Sequence, residues 1–291
     1  MDTLIAKCPY NLTEPLSGRY GREWFFDYPG GAPLARLILT GCGTSFKIDN
    51  ESTWACTPGD AHYKFVADAI DGARGAAIPW VIVAVHKNCI TAGSKACDIG
   101  GDFQNLLLQK KVDLILQAHD HLYERSKQLT CATKNSYNSS CVADNGTDGR
   151  YMQGNGSVLV IQGTGGHSAD SFAKSDSEAG YFVKGFGTSY GFVNYTVSRT
   201  AISVNFVRSS GGHDNDSFVI EAAAAPPPGP SPPSPSSPFA GGSALSPSGE
   251  QFWILLVAVA AAGGSGATYA VMRKGPGLLK PLAKLKRKRE E

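Results

Sequence analysis

The sequence contains no Cys-x-x-Cys pair, no cysteine after Cys141 and no charged residue from Phe252 to Val271. The first absence removes the usual spacing of a cysteine metal site and leaves disulfides as the reading of the close pairs. Outside the last twenty residues there is also no basic patch. The net charge of +2 divides into +6 from Met272 onward and −4 on the rest, so the main body lacks the positive footprint that nucleic-acid binding needs. Met1 to Pro9 has neither the basic start nor the apolar stretch of a signal peptide.

What is present indicates an exported domain. All seven cysteines lie between Cys8 and Cys141, and Asn-x-Ser/Thr sequons occur at Asn11, Asn50, Asn138, Asn145, Asn155, Asn194 and Asn215. Close cysteine pairs together with sequons favour an oxidising compartment. Cys89 with Cys97 and Cys131 with Cys141 each bracket a short polar loop and are read as disulfides. Cys42 with Cys56 is a further candidate pair, which leaves Cys8 over.

At 291 residues and 42% hydrophobic content, the chain is long enough for one sizeable core. Trp80–His86 and Val112–His121 are nearly continuous apolar runs rich in β-branched residues, as in strands buried on both faces of a sheet. Ala35–Thr40 and Val158–Gln162 read as further strands, and the aromatic-rich 18–28 stretch as one approaching the core. Helices are expected over 60–73, with Asp60 as N-cap, and over 102–111, where an acidic start and a basic end suit the helix dipole. His62, near the first helix start, reads as a surface or packing residue. Residues 192–197 and 201–207 alternate apolar and polar residues as a half-exposed hairpin, and 127–156 reads as a polar surface insertion.

Three of the six histidines end the two buried runs. In an alternating strand His119 and His121 leave on one face while Asp120 points away, so both imidazoles can converge with His86 of the neighbouring strand on one metal. Open α/β sheets bind ligands at this carboxyl edge. The turn Gly163-Thr164-Gly165-Gly166-His167 is either a tight turn approaching the cleft or a plain glycine-punctuated loop.

Val83-Ala84-Val85-His86 and Ala118-His119-Asp120-His121-Leu122-Tyr123-Glu124-Arg125 resemble the last two metal-binding motifs of the calcineurin-like metallophosphoesterases. The Tyr-Glu-Arg continuation is similar to the purple acid phosphatase branch, and Ala118 stands where that family has glycine. The resemblance covers about residues 8 to 210. It implies an α/β fold, part of a two-sheet sandwich flanked by helices, and a dinuclear centre of iron, zinc or manganese that hydrolyses phosphate esters. It also implies His86 and His119 as ligands of the second metal, His121 as a ligand of the first, and Gly165 and His167 on the substrate side. The family takes its oxygen donors and its phosphate-facing histidine from three earlier motifs that are not found as a set here. Gly59-Asp60-Ala61-His62 mimics part of one but follows the wrong strand.

The expected organisation is a metallophosphoesterase domain over 1–221 lacking its N-terminal part, a Pro/Ser/Gly-rich linker over 222–250, a transmembrane helix over 251–272 and a basic cytoplasmic tail over 273–291. The expectation is a C-terminal part of a longer exported, membrane-anchored enzyme. The alternatives are a non-catalytic cell-surface binding module with a vestigial metal or phosphate site, and a subunit completed by a separate N-terminal polypeptide.

Overall fold

The computed structural model describes residues 14–44 and 54–223, and the backbone of two strands at 252–260 and 266–274. The strands in chain order are β1 (Leu16–Arg19), β2 (Glu23–Tyr28), β3 (Ala35–Thr40), β4 (Trp80–Val85), β5 (Leu114–Gln117), β6 (Tyr123–Leu129), β7 (Val142–Asp144), β8 (Arg150–Met152), β9 (Ser157–Gln162), β10 (Phe182–Phe186), β11 (Ser189–Val197), β12 (Ala201–Gly211), β13 (Ser217–Glu221), β14 (Phe252–Ala260) and β15 (Gly266–Lys274). Two helices, α1 (Ala61–Gly75) and α2 (Gly101–Gln109), connect β3 to β4 and β4 to β5.

The first sheet runs β1-β2-β3-β4-β5-β9-β6-β10, with β7 attached to β6. Its centre, β3-β4-β5-β9, is parallel, which fits the helical connections between these strands. The apolar runs take their expected places because each strand alternates between two cores. Val81, Val83 and Val85 of β4 pack with Val66, Ile70, Phe103 and Leu107 of the helices. Trp80, Ile82 and Ala84 point the other way, onto Val193, Tyr195, Val204 and Ile220 of the second sheet. Helices, mixed sheet and antiparallel sheet thus stack as three layers, the two-sheet α/β sandwich expected from the sequence.

Asp60 caps α1, its Oδ1 accepting the His62 backbone N–H at 2.6 Å. That contact satisfies one of the orphan donors of the first turn. The expected hairpin is β11 and β12, paired antiparallel from Val197↔Ile202 outward. Cys42–Cys56, Cys89–Cys97 and Cys131–Cys141 are all bonded.

Two expectations differ from the structure. The 127–156 stretch is more ordered than a surface insertion. Its β8 pairs in parallel with β13 of the second sheet and buries Tyr151, 2% exposed. Residues 252–260 and 266–274 form an antiparallel strand pair beside β11 instead of a transmembrane helix. Among the described residues no helix is long and apolar enough to cross a membrane. An uncharged run rich in β-branched residues satisfies a strand as well as a helix, and Gly263-Gly264-Ser265-Gly266 interrupts the helical pattern. Cys8, the sequons at Asn11 and Asn50, and most of the linker and tail lie outside the described residues. Of the other sequon asparagines, Asn138, Asn145, Asn155 and Asn215 are exposed and Asn194 is half-buried.

Candidate functional site

The carboxyl ends of β4, β5 and β9 lie side by side, and each is followed by histidine: His86 after β4, His119 and His121 after β5, His167 after β9. The parallel register that aligns these strands therefore brings four of the six histidines to one edge. The His86 and His119 ring centroids are 5.2 Å apart and those of His121 and His167 4.1 Å apart. The edge is two adjoining imidazole pairs.

Its polar partners were not read from the sequence. The Lys87 ammonium donates to His119 Nε2 at 2.8 Å and to Asp98 Oδ2 at 2.8 Å, and Asp98 Oδ2 lies 3.3 Å from the same Nε2. Asp98 reaches the edge because the loop closed by Cys89–Cys97 folds back, the Asp98 N–H donating to the Asn88 carbonyl at 2.9 Å. Asp170 accepts the His121 backbone N–H at 3.1 Å, with Lys95 Nζ 3.6 Å away. Ser168 Oγ lies 2.9 Å from His167 Nδ1. The cysteine spacing was the one signal for the first set: a disulfide of this separation returns Asp98 to Asn88.

Burial, then the neighbouring imidazole and Lys87, lower His86 to a pKa of about 4. Burial followed by Lys87 lowers His119 to about 4, and burial followed by His167 lowers His121. All three depressions follow from withdrawing a cation from water beside other positive groups. Burial alone would raise the Asp170 carboxyl, but the His121 N–H and Lys95 overcome it and hold it below its ordinary value.

Neutral imidazoles are competent nitrogen ligands. Even so, among the described residues no group of three or more His, Cys, Asp or Glu is arranged to hold a metal. Among the described residues His86, His119 and His121 do not meet at one centre: His86 and His119 adjoin while His121 stands apart, for two reasons. β5 ends at Gln117, so His119 to His121 form a bend whose side chains do not follow strand alternation. The two histidines then turn to different partners, His119 to Lys87 and Asp98, His121 to His167 and Asp170. A dinuclear centre does not fit the described residues.

Asp120 does point away from the imidazoles. It is fully buried, accepting from Thr91 Oγ1 at 2.7 Å and the Ser94 N–H at 2.9 Å. His62 is a packing residue, as expected: its ring stacks on Trp54 at 4.1 Å and its Nδ1 lies 2.7 Å from Glu23 Oε2. Asp60, in a Gly59-Asp60-x-x-Tyr63 setting, is a helix cap.

The 163–167 turn approaches the cleft tightly. Gly163 donates to the Leu122 carbonyl at 2.9 Å, and a Cβ on it would overlap the Asp120 carbonyl oxygen. Gly165 lies beyond, in the wall of an open cavity of about 430 Å³ shared with Thr164, Gly166, Tyr190, Phe192 and Ser209. No charged side chain lines this cavity, which adjoins His167 through Gly166.

No family model matches the sequence. The chain is 26% identical over 182 residues to "Probable inactive purple acid phosphatase 1" of Arabidopsis thaliana, and 28% identical over 149 residues to "Acid phosphatase" of Aspergillus ficuum. These matches cover 59% and 49% of this chain but only 28% and 24% of those relatives, so the chain spans about a quarter of their length. Its fold is similar to that of purple acid phosphatase PPD1 from yellow lupin, Lupinus luteus, with a TM-score of 0.54, 19% identity, and coverage of 76% of this chain and 36% of that one.

Proposed function

The chain is related to the purple acid phosphatases of the calcineurin-like metallophosphoesterases, and from that premise we propose that it is a phosphoesterase-type domain that receives phosphate esters at the ends of β4, β5 and β9. In this reading it carries only the imidazole half of a hydrolytic centre. The oxygen-donor half comes from another segment or a separate polypeptide, and the described residues alone hydrolyse nothing. The observation that carries the reading is the alignment of His86, His119, His121 and His167 on adjacent parallel strands, where this sheet class binds ligands. The uncharged cavity beside His167 gives the alcohol part of an ester a place next to them.

A second reading is a non-catalytic module that retains the phosphate-ester pocket. It is favoured by the engagement of His119 Nε2 by Lys87. Both readings place the domain in an oxidising, exported compartment, supported by the three disulfides and the exposed sequon asparagines. Anchoring through 251–272 belongs to the same proposal and requires those residues to be helical in a bilayer; protease protection of the tail in sealed vesicles tests it.

The pocket reading is tested by titrating the full chain with phenylphosphonate, a non-hydrolysable phosphate-ester mimic, and following ³¹P line broadening. Saturable binding weakened by His121→Ala and His167→Ala is expected. Unsaturable binding, or binding indifferent to both changes, contradicts it.

A further inference from the structure

Asp120, Glu124 and Glu178 come from three different segments, and all three carboxyls are buried against one loop tip, residues 91–95. Glu178 Oε2 accepts the Thr91 N–H at 3.0 Å and Glu124 Oε1 the Ala92 N–H at 2.8 Å. Asp120 accepts the N–H groups of Ser94 at 2.9 Å and of Lys95 at 3.3 Å, and Gly93 donates to Thr91 Oγ1 at 2.9 Å. From outside the cluster, Ala173 donates to the Ala92 carbonyl at 2.8 Å. The tip lies inside the loop that Cys89–Cys97 closes and carries Lys95, whose ammonium is 3.6 Å from Asp170 beside His121. Buried carboxyls therefore set where this cation stands on the imidazole edge.

The Thr91 hydroxyl sits between Asp120 Oδ2 at 2.7 Å and Glu124 Oε2 at 3.0 Å. It has one proton for the two carboxyls, and Gly93 fills only one of its lone pairs, so the other needs a donor. A proton on Glu124 supplies it and completes the chain Glu124–Thr91–Asp120. We propose that Glu124 is a proton-operated latch on the tip: as the acid it donates to Thr91 and keeps Lys95 beside Asp170 and His121, and as the carboxylate it releases the tip to water. Without its proton, Glu124 is a buried charge facing a lone pair of Thr91, which is costly. It also faces like charges from the segments packed on it, Asp120 on the histidine bend and Asp176 and Glu178 before β10. The nearby cations are engaged elsewhere, Lys95 acting on Asp170 and Lys134 on Glu178. Burial, reinforced by Asp120 and Asp176, raises the closed-state Glu124 from 4.5 to about 8, so opening releases a proton. The latch is tightest below pH 4.5, and its advantage falls by up to about tenfold per pH unit from there to about 8. The bearing of this control on ligands rests on the pocket reading; the latch itself does not.

The test is amide hydrogen exchange of the full chain, resolved at Ala92, Ser94 and Lys95 and corrected for the intrinsic pH dependence of exchange. It is run from pH 4.5 to above 8 on the wild type and on Glu124→Gln. Wild-type protection at the tip is expected to fall by up to about tenfold per pH unit over this range, while the amides of β4 keep theirs. Glu124→Gln, whose amide donates to Thr91 at every pH, should hold the tip closed throughout. Tip protection that is constant with pH in the wild type, or that falls equally in Glu124→Gln, would overturn the proposal. The wild-type profile alone carries the test if the variant folds poorly, because the β4 amides report global unfolding separately. Phenylphosphonate plays no part in these measurements, so failure of the pocket reading leaves their result intact.

Discussion

Arg125 and Asp216, 91 residues apart, join the two sheets through a two-pronged ion pair. Nε donates to Oδ2 at 2.7 Å and Nη2 to Oδ1 at 3.1 Å. The Tyr123 hydroxyl donates to the same Oδ2 at 2.7 Å, and Arg125 Nη1 donates to the Gly146 carbonyl at 3.1 Å. Both charged side chains are 6% exposed. The Tyr-Glu-Arg stretch that resembles the purple acid phosphatase branch is thus structural: two of its side chains fasten β6 to the turn before β13. Removing one partner of a buried pair strands the other, so Asp216→Ala is expected to lose ~3–5 kcal/mol in urea unfolding. A loss below about 1 kcal/mol, the range of an exposed pair, would contradict this role.

Glu124, between those residues, points to the other core. Its Oε1 accepts the Ala92 N–H at 2.8 Å, and its Oε2 lies 3.0 Å from Thr91 Oγ1, whose hydroxyl also reaches Asp120 at 2.7 Å. Thr91 has one proton for two carboxyls. Burial raises Glu124 from 4.5 to about 8, so at neutral pH the protonated acid donates to Thr91 and Thr91 to Asp120. The folded state then binds a proton that the unfolded state has released. This stability contribution is complete below pH 4.5 and is lost as pH rises through about 8. Glu124→Gln keeps both hydrogen bonds without the titration. The wild type should therefore lose melting temperature relative to Glu124→Gln between these two pH values, and a constant difference between the two proteins would refute the assignment.

Cys131–Cys141 closes a ten-residue separation within the segment that carries β7. Its main action is to restrict the unfolded chain, and Cys131→Ser/Cys141→Ser should cost ~2–4 kcal/mol. Unfolding by guanidinium under non-reducing conditions reads this. Equal midpoints in mutant and wild type would mean that the bond does not form in the protein.

Gly163 lies where β9 meets the bend carrying His119 and His121. A Cβ there would overlap the Asp120 carbonyl and come within 2.7 Å of that of Ala118. Gly163→Ala must therefore push the histidine bend away, at the ~1–3 kcal/mol typical of overpacking. It should also shift the imidazole signals of His119 and His121. Unchanged histidine resonances would show that the contact is relieved elsewhere.

The buried strands and α1 were legible because β4, β5 and β9 are flanked on both faces and need apolar residues at every position, while Asp60 is a capping residue placed just before a helical pattern. The histidine edge was legible for the same reason, since strand ends mark its position. The direction of each imidazole was not. That depends on where β5 stops, and on Lys87, Asp98 and Asp170 arriving through loops whose paths are set by a disulfide and by long-range hydrogen bonds. The role of Arg125 was hidden because its partner, Asp216, lies in a turn with no pattern of its own. The 252–274 stretch, expected as a helix, forms the β14–β15 pair in the structure; composition alone does not separate an apolar strand pair from a span.

The lack, among the described residues, of the donors that would complete a dinuclear centre at the imidazole edge is the central structural finding. Its most direct test is elemental analysis of the full purified chain after equilibration with zinc and iron salts and removal of loosely bound ions. Well under one metal per chain, unchanged by His119→Ala, is the expected result. About two metals per chain, lost in His119→Ala, would mean that a full ligand set exists within these residues and would contradict the account.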